Sequence, residues 1–249
     1  MCTLSYLLTH TGYELFFNRD EQHNRPLALI PDINAACQAI FPIDPQGKGT
    51  WLAVNKSGLS LALLNYYQVG DNSIDQTFIS RGQLIPYILK ALVKTPEAEV
   101  SEILNAINLS SYQPFQLAIF PKNLTKTNAK VDFYQWDSEK LTLTDLQQPF
   151  TSSGVDFEYI AKQRKDRFNQ IVCPLNATRE QFKAFHLSQE NEGKYSVNMI
   201  RFEARTVSIS HIFVENSSTN TLINSTKKNI TFSYFDNVNH QHHQIQHHK

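Results

Sequence analysis

The chain has 249 residues, 41% hydrophobic and 18% charged, enough apolar material to exclude a largely disordered polypeptide. Its 23 Lys and Arg balance 23 Asp and Glu, which excludes a broad basic footprint for nucleic acid. No apolar run approaches the roughly 18–20 residues of a membrane helix, so no integral membrane segment is expected. Residues 1–10 lack a positively charged start ahead of an apolar stretch, unlike a secretory signal. The cysteines, Cys2, Cys37 and Cys173, form neither a CxxC pair nor a disulfide framework. A reducing, cytoplasmic setting is the corresponding expectation.

Two short runs of β-formers, 4–8 and 13–17, flank Gly12 and predict a hairpin. The polar cluster 18–25 and Pro26 follow it. Gly47 and Gly49 precede a strand at 50–54, and the turn Lys56-Ser57-Gly58 leads into a strand at 59–64 that ends at Asn65. Residues 80–94 have helical period, with Leu84, Ile85, Ile88, Leu89 and Leu92 on one face. A second helix is predicted to start with Thr95 as N-cap and Pro96 at its first position, carrying Val100, Ile103, Leu104 and Ile107. Strands at 115–120 and 131–136, helices at 157–172 and 179–185, and strands at 197–200, 206–214 and 229–234 complete the pattern. Residues 216–229 read as a polar loop or weak edge strand. The His- and Gln-rich end reads as a frayed, flexible tail, 237–249. Strands, two helices, strands, one or two helices and strands again suit an α+β fold with helices outside antiparallel sheets.

Three features carry candidate chemistry. Removal of Met1 would leave Cys2 with a free α-amine of pKa about 8, placing a thiol and a base in one residue. The run Asn18-Arg19-Asp20-Glu21, with Arg25-Pro26, lies where the second strand of the hairpin returns towards Cys2. An arginine there favours thiolate, and a carboxylate can orient the amine; a solvated turn is the other reading of this segment. Gly49-Thr50-Trp51 and Asn65 supply the third feature, an amide at a strand end that could donate to an oxyanion or simply close a turn. Two further clusters, the tail histidines and the basic run Lys162, Arg164, Lys165 and Arg167, read as solvated surfaces rather than metal or phosphate sites.

Taken together, Met1-Cys2-Thr3, Asn18-Arg19-Asp20-Glu21, Gly49-Thr50-Trp51 and Asn65 resemble the NRDE-motif family, that of transport and Golgi organisation protein 2. Ser80-Arg81-Gly82 and the late segments 195–201 and 204–208 extend the resemblance to residues 1–236, read as one domain. The first third is also similar to N-terminal nucleophile hydrolases of the choloylglycine and penicillin V acylase type. That resemblance implies a four-layer αββα sandwich with Cys2 as nucleophile, and Arg19 and Asp20 positioning its sulfur and amine. It implies an oxyanion site at Asn65 and the Tyr66 N–H. Ser152 stands where those hydrolases have a second asparagine, and their late arginine has no unique match: Arg201 and Arg205 are the candidates, with Arg164 behind them. Asn18, Glu21, Trp51 and Tyr66 are candidates for substrate contact. The expected activity is attack on a linear acyl amide or thioester with no metal or organic cofactor. The alternative is a binding or trafficking protein of the same fold for haem, lipid or acyl-coenzyme A.

Overall fold

The structure is a computed structural model that describes residues 1–69, 78–190, 193–217 and 227–248. In chain order, β1 (Cys2–Leu8) and β2 (Gly12–Gln22) form the opening hairpin. Next come β3 (Leu29–Asn34), β4 (Ala39–Ile43), β5 (Leu52–Asn55), β6 (Ser60–Asn65), α1 (Leu84–Lys94) and α2 (Val100–Ala106). The strands β7 (Phe115–Phe120), β8 (Asp132–Trp136), β9 (Leu141–Thr144) and β10 (Phe150–Ser152) lead to α3 (Phe157–Ile171) and α4 (Arg179–Leu187). The described chain closes with β11 (Ala204–Ser217), β12 (Lys227–Asp236) and β13 (Gln241–His248). One six-stranded sheet runs β10-β1-β2-β11-β12-β13 and a seven-stranded sheet runs in sequence order from β3 to β9.

The period of two along a strand decides which residues meet. On β1 and β2, Leu4, Tyr13, Leu15 and Phe17 face the second sheet and pack there with Leu52, Val54, Ala62 and Leu64. On β6 the alternate residues Leu61 and Leu63 face outwards and bury the stripe Leu84, Ile85, Ile88 and Leu89 of α1, with Val100 and Leu104 of α2. On the far side, Phe16 of β2 packs against Phe168 of α3 and Phe182 and Phe185 of α4. Helices, sheet, sheet, helices: the layers are αββα. Gly12 is required where the first hairpin meets β11, because a Cβ there would lie 1.9 Å from the Val214 carbonyl oxygen.

Three expectations are corrected. Thr95 does not cap α2: its hydroxyl donates back to the Ala91 carbonyl at the end of α1. The N-cap of α2 is Glu99, whose N–H donates to the Glu102 carboxylate. Residues 197–200 form no strand; only an isolated bridge, Ile200 to Arg205, remains. The tail is not frayed through residue 248, since Gln241–His248 pairs along β12 from Asp236–Gln241 to Asn229–His248. The Asp236 carboxylate accepts from the Val238 and Asn239 N–H groups and shapes the turn, and Ile245 reaches the core between the sheets. No helix among the described residues is long and apolar enough to cross a membrane, and they contain no cluster of three or more potential metal ligands.

Candidate functional site

Cys2 begins β1, with Arg19 of β2 on one side and Ser152 of β10 on the other. Directly paired residues share a face of the sheet, so these three face the second sheet. Met1 precedes Cys2: its amino group donates to the Asp20 carbonyl at 3.2 Å, and the Asp20 N–H returns a bond to the Met1 carbonyl at 2.9 Å. Cys2 as a residue keeps some exposure, but its sulfur is enclosed. Burial pushes the thiol up to about 11, outweighing the nearby terminal ammonium and Arg19, while Asp20 and Glu21 push in the same direction as burial. With Met1 in place the thiol is therefore protonated at neutral pH.

Arg19 and Asp20 are neighbours on a strand, so they point to opposite faces. The Arg19 guanidinium lies 4.3 Å from the centre of the buried Trp51 ring, 3.2 Å from Glu21 and 3.9 Å from Asp44. Arg25 closes the network, 2.5 Å from Asp44 and 3.7 Å from Glu21. Glu21 is thus a link between two arginines, and Asp44, absent from the sequence reading, is its counterpart. Asp20 faces the helices. Its carboxylate is 3.1 Å from Arg164 and accepts from the Thr206 hydroxyl at 2.6 Å. Arg19 thus shares the face of its strand partner Cys2 while the Asp20 side chain lies on the other face, and Asp20 meets the amino terminus through its backbone carbonyl.

Arg164 is the residue of this candidate site most undervalued from sequence. Fully buried, it also donates to the Thr3 hydroxyl and to the Ser196 carbonyl at 2.8 Å. The available signal was the spacing Ile160, Arg164, Phe168, which marks one buried helix face. Arg201, ranked above it, sits elsewhere: it donates to the Lys194 carbonyl at 2.8 Å, lies 3.9 Å from Glu203 and packs 5.7 Å from the Tyr195 ring centre. Arg205 pairs across β2 with Glu21 in strand register.

The expected oxyanion donors already have acceptors. The Tyr66 N–H donates to the Pro114 carbonyl at 3.1 Å. The Asn65 amide donates to the Tyr67 hydroxyl, and the Asn65 carbonyl accepts from the Ser152 hydroxyl at 2.6 Å. The Trp51 indole N–H is buried with no acceptor among the described residues. Asn18 is not placed for substrate contact. It is fully buried and donates to the His186 and Val197 carbonyls, both at 2.8 Å. Because both amide hydrogens are thereby assigned, the Asn18 oxygen must accept from His186 Nδ1, and His186 Nε2 in turn accepts from the Ser5 hydroxyl. This Ser5–His186–Asn18 row has the outline of a nucleophile triad but not its chemistry. Burial, then Arg164 and His211, hold His186 down at about 3, and Ser5 is fully buried.

The two glycine-bearing motifs form one contact. Thr50 N–H donates to the Gly82 carbonyl at 2.9 Å, and a Cβ on Gly49 would lie 2.2 Å from the Gly82 backbone. This contact carries Arg81, in the short 3₁₀ turn Arg81–Gln83, to the Cys2 end of the sheets.

The family model described as Transport and Golgi organisation 2 matches residues 1–241. The chain belongs to that family. The matched span takes in the Cys2 strand, the Asn18–Glu21 motif and the Arg81–Gly82 turn that build this site. No curated protein matches the chain in sequence. Among solved structures, a Caenorhabditis elegans N-acylethanolamine-hydrolyzing acid amidase ortholog is similar over 85% of this chain and 92% of that chain. Its sequence identity is 8% and its TM-score 0.44.

Proposed function

We propose that this member of the Transport and Golgi organisation 2 family is an N-terminal-cysteine amidohydrolase or acyltransferase, acting in the cytoplasm on a linear amide or thioester once Met1 is removed. The observation that supports the reading is the position of Cys2, at the start of a central hairpin and paired across the sheet with a buried arginine. With Met1 gone, the Cys2 nitrogen becomes an amine close to its own thiol. That amine takes the thiol proton as sulfur bonds to the substrate carbonyl carbon. The tetrahedral intermediate then collapses, the carbon–nitrogen or carbon–sulfur bond breaks, and the same proton leaves with the amine or thiol product. Water or an acceptor nucleophile releases the acyl group from Cys2. Asn65 is the oxyanion donor in this scheme, and serves when its amide turns from Tyr67 to the substrate oxygen. The reaction requires no metal or organic cofactor. In Met1-free protein, Cys2→Ser is expected to abolish most turnover of an acyl amide or thioester panel with unfolding unchanged; normal turnover in that variant overturns the nucleophile role.

A carrier role for haem, lipid or acyl-coenzyme A is the second reading. It is favoured by the thiol raised to about 11 and by the engaged Tyr66 and Asn65 donors. Saturable binding of such a ligand, equal in wild type and Cys2→Ser, together with no turnover in Met1-free protein, would establish it over catalysis.

A further inference from the structure

Three arginines around the opening hairpin are ion-paired: Arg19 and Arg25 with Glu21 and Asp44, Arg164 with Asp20. Arg81 differs. Among the described residues no carboxylate lies within ion-pair distance of it. Its contacts include a bond from Nη1 to the Pro114 carbonyl at 3.0 Å and Tyr67, whose ring centre is 5.7 Å away and whose hydroxyl also engages the guanidinium.

Arg81 is held between the two strand neighbours of Cys2. On one side, the Pro114 carbonyl that it contacts also accepts from Tyr66, and the preceding residue, Asn65, accepts from Ser152. On the other, the adjacent Gly82 accepts from Thr50, and Trp51, the next residue, lies under Arg19. These contacts set Arg81 at the Cys2 end of the two sheets. A guanidinium has five N–H donors; the Pro114 carbonyl and the Tyr67 hydroxyl engage two of them. Burial pulls its pKa below the ordinary arginine value. A partly desolvated cation without a counter-charge is unfavourable, and an incoming anion relieves it with charge-assisted hydrogen bonds.

We propose that Arg81 is an anion-recognising residue of the Cys2 site, and that the site takes acyl compounds bearing a carboxylate, which docks on the guanidinium as a planar two-oxygen partner. The assignment of the acyl group to Cys2 rests on the function proposed above; the anion contact itself does not need the thiol.

The test compares hexanoate with its neutral isostere hexanamide on the whole chain, reading the thermal unfolding midpoint as each is titrated. Hexanoate is expected to raise the midpoint and hexanamide to do so far less. In Arg81→Gln the affinity for hexanoate should fall by about tenfold or more, the worth of a hydrogen bond to a charged group, and the preference over hexanamide should vanish. Because that variant also loses the Pro114 bond, Arg81→Lys is measured beside it and should keep part of the preference. Cys2→Ala should keep all of it. An equal response to the two ligands in wild type, no response to either, or an undiminished hexanoate response in Arg81→Gln overturns the proposal. Failure of the nucleophile role reads out separately, as retained turnover in Cys2→Ser.

Discussion

Replacing Arg164 with Met is the most searching perturbation of the site's foundation. The side chains of Arg164 and Asp20 are fully buried and 3.1 Å apart, and Arg164 also holds Thr3 and the Ser196 carbonyl. Methionine fills much of the same volume but leaves the Asp20 carboxylate with only the Thr206 hydroxyl as a side-chain partner. Breaking a buried pair from one side typically costs about 3–5 kcal/mol, because the remaining charge is uncompensated. For a chain of this size each kcal/mol moves the thermal midpoint by roughly 2–4 °C, so a drop of roughly 6–20 °C is expected, with a matching fall in the urea midpoint. The double variant Arg164→Met with Asp20→Asn removes the stranded charge and should recover more than half of the loss. A single-variant loss below about 1 kcal/mol, or strictly additive losses in the double variant, would refute the account of Asp20 as a carboxylate that depends on Arg164.

Stability should also depend on pH through His186. Its folded pKa is depressed to about 3, so below about 6.5 the unfolded chain takes a proton that the folded chain refuses. That contribution is complete above about pH 6.5 and declines by about 1.4 kcal/mol per unit as pH falls towards 3; a ring that titrates near 6.5 by NMR would contradict it. Glu14 acts in the same sense at lower pH: burial would raise its pKa, but the bonds from His211 and Arg179 prevail and lower it. With Met1 retained, Cys2 should alkylate more slowly at neutral pH than the exposed Cys173. Because its thiol is raised to about 11, its rate should climb about tenfold per unit from pH 7 to 10; a plateau below pH 9, followed by peptide mass mapping, would disprove the enclosed thiol. Gly49→Ala places a methyl 2.2 Å from the Gly82 backbone and should lower stability by roughly 1–3 kcal/mol, measured by urea unfolding; an unchanged midpoint would show that the two motifs do not rely on that approach.

Local spacing made much of this architecture legible. The opening hairpin, the buried stripe of α1 and the strands through 115–120 and 206–214 follow from periods of two and 3.6, which any short window of chain displays. The same windows placed Arg19 beside Cys2, because a hairpin carries its own register. They missed β13, whose His and Gln residues lack a strand's apolar alternation except at Ile245; its pairing is supplied by the backbone of β12 and a turn shaped by Asp236. They also put Thr95 at the start of α2, when its hydroxyl closes α1 instead.

The sequence by itself determined the layers' ingredients, the hairpin register and the nucleophile candidate. Tertiary structure alone selected Arg164 over Arg201 for Asp20, turned Asn18 into a buried clamp on His186, and set Arg81 against Pro114 and Tyr67 with no carboxylate among the described residues in ion-pair distance. The physical reason is separation along the chain. Arg164 and Asp20 meet across 144 positions and Asn18 and His186 across 168, so the choice among similar arginines is made by which helix face packs on which sheet face. No residue's local pattern carries that information, whereas the alternation that sends Arg19 and Asp20 to opposite faces is already present in two adjacent letters.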